Sequence, residues 1–236
     1  MLHIVATPIG NLGDLTPRAL DVLKTADLIA CEDTRRTWQL LSAFNIPRPE
    51  MLSYRQGNEE RAGLRIIQAV RSGLSVALCS DGGYPGISDP GYRLIRLAVC
   101  ENIPFDILPG ASAVDLALLL SGLPTSSYTF KGFPPRKPGA LKRFFEEEAH
   151  LPHTLICFES PFRIVKTLQA AMQTLGDREA AVCLELTKLH ERVERGFLSE
   201  LIARFDNRKT KGEIVIVVAG NNPKFSRLCA EEDHFD

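Results

Sequence analysis

Residues 80–91, S-D-G-G-Y-P-G-I-S-D-P-G, constrain this chain more than any other stretch. They place four glycines and two prolines between residues 74–79, an apolar run that predicts a buried strand, and residues 92–100, whose apolar spacing predicts a helix. An ordinary strand-to-helix turn needs far less backbone punctuation. Glycine permits positive φ and lets a ligand come close to the main chain. In α/β proteins, ligands bind at such loops, beyond the carboxyl ends of strands.

The same grammar recurs along the chain. Residues 2–6 predict a strand, residues 7–15 a glycine-containing loop, and Thr16-Pro17 a helix start with Thr16 as N-cap. The G-x-G-x-x-G fingerprint of a nicotinamide or flavin site is missing from that loop. Residues 27–31 predict a strand that ends in the charged cluster Glu32-Asp33-Thr34-Arg35-Arg36, with Thr34 expected to cap the next helix. Residues 51–54 predict a short strand, residues 58–72 a helix stopped by Gly73, and residues 104–108 a strand leading into Pro109-Gly110-Ala111-Ser112-Ala113 and an apolar helix. Residues 122–127, G-L-P-T-S-S, read as the domain boundary, giving domains 1–122 and 123–236. In the second domain, strands are expected at 128–131, 154–158, 180–186 and 213–219, with helices at about 140–149, up to 175 and from 199 or 200. Alternating strands and helices make both halves α/β.

Formal net charge is −1, so the molecule as a whole does not advertise nucleic acid. Local basic stretches do exist at Arg35-Arg36, Arg136-Lys137, Lys142-Arg143 and Arg208 to Lys211. The six cysteines form no C-x-x-C pair and the histidines show no ligand spacing, so no metal site is expected. No signal peptide pattern and no long apolar run is present, which predicts a cytoplasmic protein without membrane attachment.

Six motifs stand in a fixed order: T-P-I-G-N-L-x-D-x-T-x-R-A from Thr7, E-D-T-R from Glu32, S-D-x-G-x-P-x-I-S-D-P-G from Ser80, P-G-A-S-A-V from Pro109, E-S-P-x-R from Glu159 and E-L-T-K from Glu185. Together they resemble the tetrapyrrole-methylase-fold (class III) S-adenosylmethionine-dependent methyltransferases. Within that family the chain is most similar to the branch that methylates a cytidine ribose 2′-hydroxyl of small-subunit ribosomal RNA. The resemblance implies two α/β domains with the cofactor in the cleft between them, a homodimer, and small-subunit RNA as partner. By family motif, Asp81, Gly83, Tyr84 and Ile87 would hold S-adenosylmethionine. Pro8, Ser112 and Ala113 would complete that wall, with Phe158 and Leu186 closing it from the second domain. Three positions depart from the family pattern: Gly82 stands for alanine, Tyr84 for threonine and Phe162 for histidine.

Methyl transfer to a hydroxyl needs positioning, and a group that accepts the proton or stabilises the alkoxide. Strand-end candidates are Glu32, Asp33, Arg35, Asp89, Glu159, Arg163, Glu185 and Lys188. Asp33 and Lys188, from different domains, are expected to face each other, with Arg35 and Glu159 beside them. Phe133 and Phe162 are candidates for stacking on bases. Two other readings stay open: a same-fold enzyme acting on a small molecule such as a corrin precursor, and a cofactor-binding protein without catalysis.

Overall fold

The computed structural model describes residues 1–206 and 208–227. Asn207, just before the Arg208 to Lys211 stretch, and Cys229 lie outside the described residues. The chain packs as two units, Met1–Ser112 and Ala113–Asp236.

The first unit contains five strands: β1 (Leu2–Val5), β2 (Leu28–Cys31), β3 (Glu50–Ser53), β4 (Val76–Cys79) and β5 (Phe105–Leu108). They form one parallel sheet in the order β3-β2-β4-β1-β5. Helices α1 (Pro17–Thr25), α2 (Thr34–Ala43), α3 (Glu59–Arg71) and α4 (Tyr92–Cys100) connect them. As expected, Thr16 caps α1, accepting the Ala19 N–H, and Pro17 opens the helix.

Alternation along each strand sends side chains to two separate cores. Ala19 and Leu23 of α1 and Leu41 of α2 pack on Val5, Ile29, Cys31, Ala77 and Cys79. Ile66 and Val70 of α3 and Leu94 and Ala98 of α4 pack on Leu2, Ile4, Ala30, Val76 and Leu78 on the other face. The sheet is therefore doubly wound. β1 and β4 are neighbours whose following helices leave to opposite faces, which opens a crevice beyond their carboxyl ends. Cys31 and Cys79 are register partners in neighbouring strands, both buried.

The second unit opens with α5 (Ala113–Ser121) and builds a mixed sheet from β6 (Tyr128–Phe130), β7 (Thr154–Glu159), β8 (Glu179–Leu184), β9 (Arg192–Phe197) and β10 (Ile214–Val218). The order is β6-β7-β10-β8-β9; only the β6–β7 pairing is parallel. Helices α6 (Pro138–Glu146), α7 (Ile164–Leu175) and α8 (Leu198–Asp206) cover one face, with Phe145, Leu168 and Phe205 packed on Leu155, Val182 and Ile216. α5 covers β8 and β10 with Val114, Ala117 and Leu118. The Cys183 thiol lies 3.9 Å from the Ala117 carbonyl oxygen, and Arg195 donates to the Leu120 carbonyl from β9.

Two expectations change here. The division falls before α5 instead of at Gly122, because α5 buries its apolar surface on the second sheet. β9 was not foreseen: R-V-E-R-G-F carries charges at Arg192, Glu194 and Arg195 and a glycine, so neither an apolar run nor strict alternation marks it.

The α5 packing makes a test. Ala117→Asp puts an unpaired carboxylate under the second sheet and should cost about 3 kcal/mol or more in urea unfolding. Leu119→Asp, on the same helix but at a position 69% exposed, should leave the midpoint nearly unchanged.

Candidate active site

The loops after β1, β4 and β5 are tied together by their own backbone. Thr7 N–H donates to the Gly83 carbonyl (3.0 Å), and Gly83 N–H donates back to Thr7 (2.9 Å). The Thr7 hydroxyl donates to Ser80 O (3.1 Å), and the Ser80 hydroxyl to Gly83 O (3.0 Å). Gly83 holds this bridge at φ 81°, a conformation that a side chain strains. Gly110 N–H donates to the Tyr84 hydroxyl oxygen (3.0 Å), which brings in the β5 loop. A Cβ on Gly110 would stand 2.8 Å from the Ala6 methyl, so the β1 and β5 loops also touch.

The structure thus gathers Gly83, Tyr84 and Gly110 around one rim. Pro8 joins it, with its carbonyl 3.4 Å from where a Gly82 Cβ would lie. Asp81 reaches from this loop to the β2 end, and Ile87 is half exposed farther along it. Ser112 ends the first unit and Ala113 begins α5.

At the end of β2 the charged cluster is ordered. Asp33, not Thr34, is the N-cap of α2: its carboxylate accepts the Arg35 N–H at 2.9 Å. The Arg35 guanidinium clasps the same carboxylate through Nε (3.1 Å) and a terminal nitrogen (2.7 Å). These Arg35 bonds, side chain first and backbone second, hold the Asp33 carboxyl well below the usual range. Asp81 accepts the Asp33 N–H (3.3 Å) and pairs with Arg36 (3.3 Å). Glu32 moves the other way. Burial, then the nearby Asp81 charge, pushes its carboxyl above the ordinary range, with Arg36 opposing.

Glu32, Asp33, Arg35, Arg36, Arg55 and Asp81 line an open depression of about 390 Å³, completed by Thr34 and Ser53. Ser53 and Arg55 were not foreseen. A short strand ending before a lone arginine carries little signal, and only the parallel pairing of β3 with β2 brings it here.

In the second unit, Glu159 is fully buried and committed. It accepts the Thr167 hydroxyl (2.5 Å) and the Ser160 N–H (2.7 Å), and pairs with Arg163 (3.4 Å). Expected among the catalytic groups, it has both carboxylate oxygens engaged within the E-S-P-F-R turn and the helix that follows it. Phe158 packs edge-on against Phe130 and Phe133, and Leu186 is buried. Lys188 donates to Glu185 (2.9 Å) and Glu213 (2.9 Å). Burial opposes both charges of the Glu185–Lys188 pair, yet their hydrogen bonding prevails: Glu185 is held low and Lys188 is raised. Among the basic stretches, Lys142 pairs with Glu146 and Arg208 with Glu194, whereas Arg136 and Lys137 stand exposed without an ion-pair partner among the described residues.

Comparison with known proteins bears directly on this arrangement. The family model for tetrapyrrole (corrin/porphyrin) methylases matches residues 1–202. The chain belongs to this family. The methylase is 45% identical over 223 residues to a protein named ribosomal RNA small subunit methyltransferase I from Halalkalibacterium halodurans, covering 94% of this chain and 77% of that one. A protein of the same name from Xylella fastidiosa is 47% identical over 222 residues, covering 93% and 81%. The solved structure of a diphthine synthase shares the methylase's fold, with a TM-score of 0.70 at 16% identity over 98% of this chain and 92% of that one.

The Asp33 clasp is measurable in this methylase. Arg35→Ala should raise the Asp33 carboxyl towards the ordinary aspartate range in a ¹³C NMR titration, because the first and largest cause of its depression is removed while the backbone N–H bonds remain. The sign follows: the clasp favours the folded chain above the unfolded-state pKa, and the benefit fades as pH falls through the folded one. Gly83→Ala should cost about 1–2 kcal/mol in thermal unfolding from backbone strain alone, since its Cβ would meet only ordinary contacts of 3.5 and 3.7 Å.

Proposed function

We propose that this chain is an S-adenosylmethionine-dependent methyltransferase that methylates a cytidine ribose 2′-hydroxyl of small-subunit ribosomal RNA. The observation that carries the reading is the identity of 45% and 47%, over more than nine-tenths of the chain, to proteins named ribosomal RNA small subunit methyltransferase I. The 2′-hydroxyl and the cytidine come from the motif resemblance. The same resemblance supports a homodimer, which light scattering tests, and the lack of a signal-peptide pattern supports a cytoplasmic enzyme.

The bridged loops suit the cofactor. The absence of side chains at Gly82, Gly83 and Gly110 lets an uncharged adenosyl moiety lie close against the main chain, with half-exposed Ile87 as an apolar contact. When bound, that group supplies a methyl on a sulfonium, a good leaving group. The chain's task is then to hold the acceptor oxygen in line and take its proton. Pro8, Asp81, Gly83, Tyr84, Ile87 and Ser112 form the proposed cofactor wall in the first unit. Ala113, Phe158 and Leu186 are assigned to it by motif.

The depression at the β2 end is the proposed seat of the ribose. Arg55 and Arg36 would meet the flanking phosphates. Asp33, held low by Arg35, is a poor proton acceptor and orients the ribose. Glu32, with its affinity for protons raised, suits the general base: the ribose oxygen gains the methyl while its proton passes to the Glu32 carboxylate. Lys188, its pKa raised, remains an ammonium and would stabilise the developing alkoxide.

Unmodified small ribosomal subunits incubated with labelled S-adenosylmethionine should acquire one label at a cytidine ribose; label on a base, or none, refutes the reading. The rate should rise with pH as Glu32 loses its proton. Glu32→Gln should lower single-turnover transfer by about 10²-fold or more and abolish that acid limb. Lys188→Arg should keep more activity than Lys188→Ala if the cation acts as charge.

A further inference from the structure

Phe162 is 95% exposed and Phe133 is 59% exposed, both in the second unit. Single exposed apolar side chains are ordinary. These two differ because buried polar groups hold them together. Glu159 fixes the turn that carries Phe162 by accepting the Ser160 N–H, and Arg163 N–H closes it on Ser160 O at 2.9 Å. From the same turn, the Arg163 guanidinium donates to Pro134 O (3.0 Å) and Pro135 O (2.9 Å), the residues directly after Phe133. The Phe133 ring rests edge-on against Phe158, centroids 5.4 Å apart at 63°. Phe158 N–H is itself bonded to Gly132 O at 2.9 Å. A buried carboxylate and a half-buried guanidinium are thus spent on anchoring two aromatic side chains that point to water.

The charge around them selects the occupant. Arg136 and Lys137 follow immediately on the same loop, exposed and without ion-pair partners among the described residues. Rigid aromatic faces beside free cations match a single-stranded nucleic acid, whose bases stack while its phosphates meet the cations.

We propose that Phe133 and Phe162 form a stacking platform for an unpaired base of the RNA substrate, with Arg136 and Lys137 on the adjacent phosphates. The proposal rests on reading the substrate as RNA. Phe162 is then a specificity-determining residue, since stacking favours a base already unpaired in the subunit.

The test uses the full chain and a single-stranded oligocytidylate, with an otherwise identical strand carrying one abasic site as control. Phe162→Ala and Phe133→Ala should each weaken binding of the intact strand by about 10-fold, and Phe162→Tyr should restore it. The abasic strand should bind wild type and the alanine variants alike. Replacing Arg136 and Lys137 with alanine should flatten the salt dependence for both strands. Unchanged affinity in the alanine variants overturns the platform. So does a change in oligomeric state by light scattering, which assigns the rings to a second copy, or weakened S-adenosylmethionine binding, which assigns them to the cofactor wall. The assay needs no turnover. If wild type binds the strand with these mutant effects but methylates no subunit, the proposed activity fails while the platform stands.

Discussion

Two backbone hydrogen bonds between Thr7 and Gly83 bear on everything proposed for the first unit. Each is worth only about 1 kcal/mol net, but together they close loops from neighbouring strands into one rigid edge. The Ser80 and Thr7 hydroxyls then bond inward to the same turn, so no polar group of the bridge is left for a ligand to satisfy. A ligand meeting this edge would find it already built. Ordering entropy is settled during folding and not charged again on binding.

The second unit follows a different economy. Its sheet is mostly antiparallel and its rigid point is an ion pair around buried Glu159. Removing one member of such a pair leaves a charge stranded out of water, which costs more than the pair contributes. Glu159 is therefore an anchor of its own turn, held by Thr167, the Ser160 N–H and Arg163. Motif matching alone does not distinguish such an anchor from a catalytic group.

Much of this was legible in the residues. The β4 loop, the Thr16-Pro17 helix start and most strands follow from apolar runs and punctuation, which are local signals. What escaped depends on distant parts of the chain. α5 is apolar on nearly every side, so its composition says that it is buried but not under which sheet. β9 is defined by pairing with β8 and not by its own pattern. Arg55 and Ser53 enter the depression only because β3 lies beside β2. Asp33 as helix cap was misread in favour of Thr34 by a single position, a distinction that backbone angles decide.

The paired cysteines beneath this edge have a further consequence. Cys31 and Cys79 end β2 and β4, directly under the loops that carry Asp33 and Asp81. Burial pushes both thiols above their ordinary pKa, Cys79 the further; at Cys31 a hydrogen bond from Thr37 opposes the rise and the Asp81 and Asp33 charges add to it. In the closed chain they are neither ionised nor reachable, so an alkylating reagent modifies them only during transient opening of the sheet. Their modification rate is thus a built-in gauge of how often the carboxyl edge comes apart, and its slowing by a bound molecule would report the free energy with which that molecule clamps the edge shut.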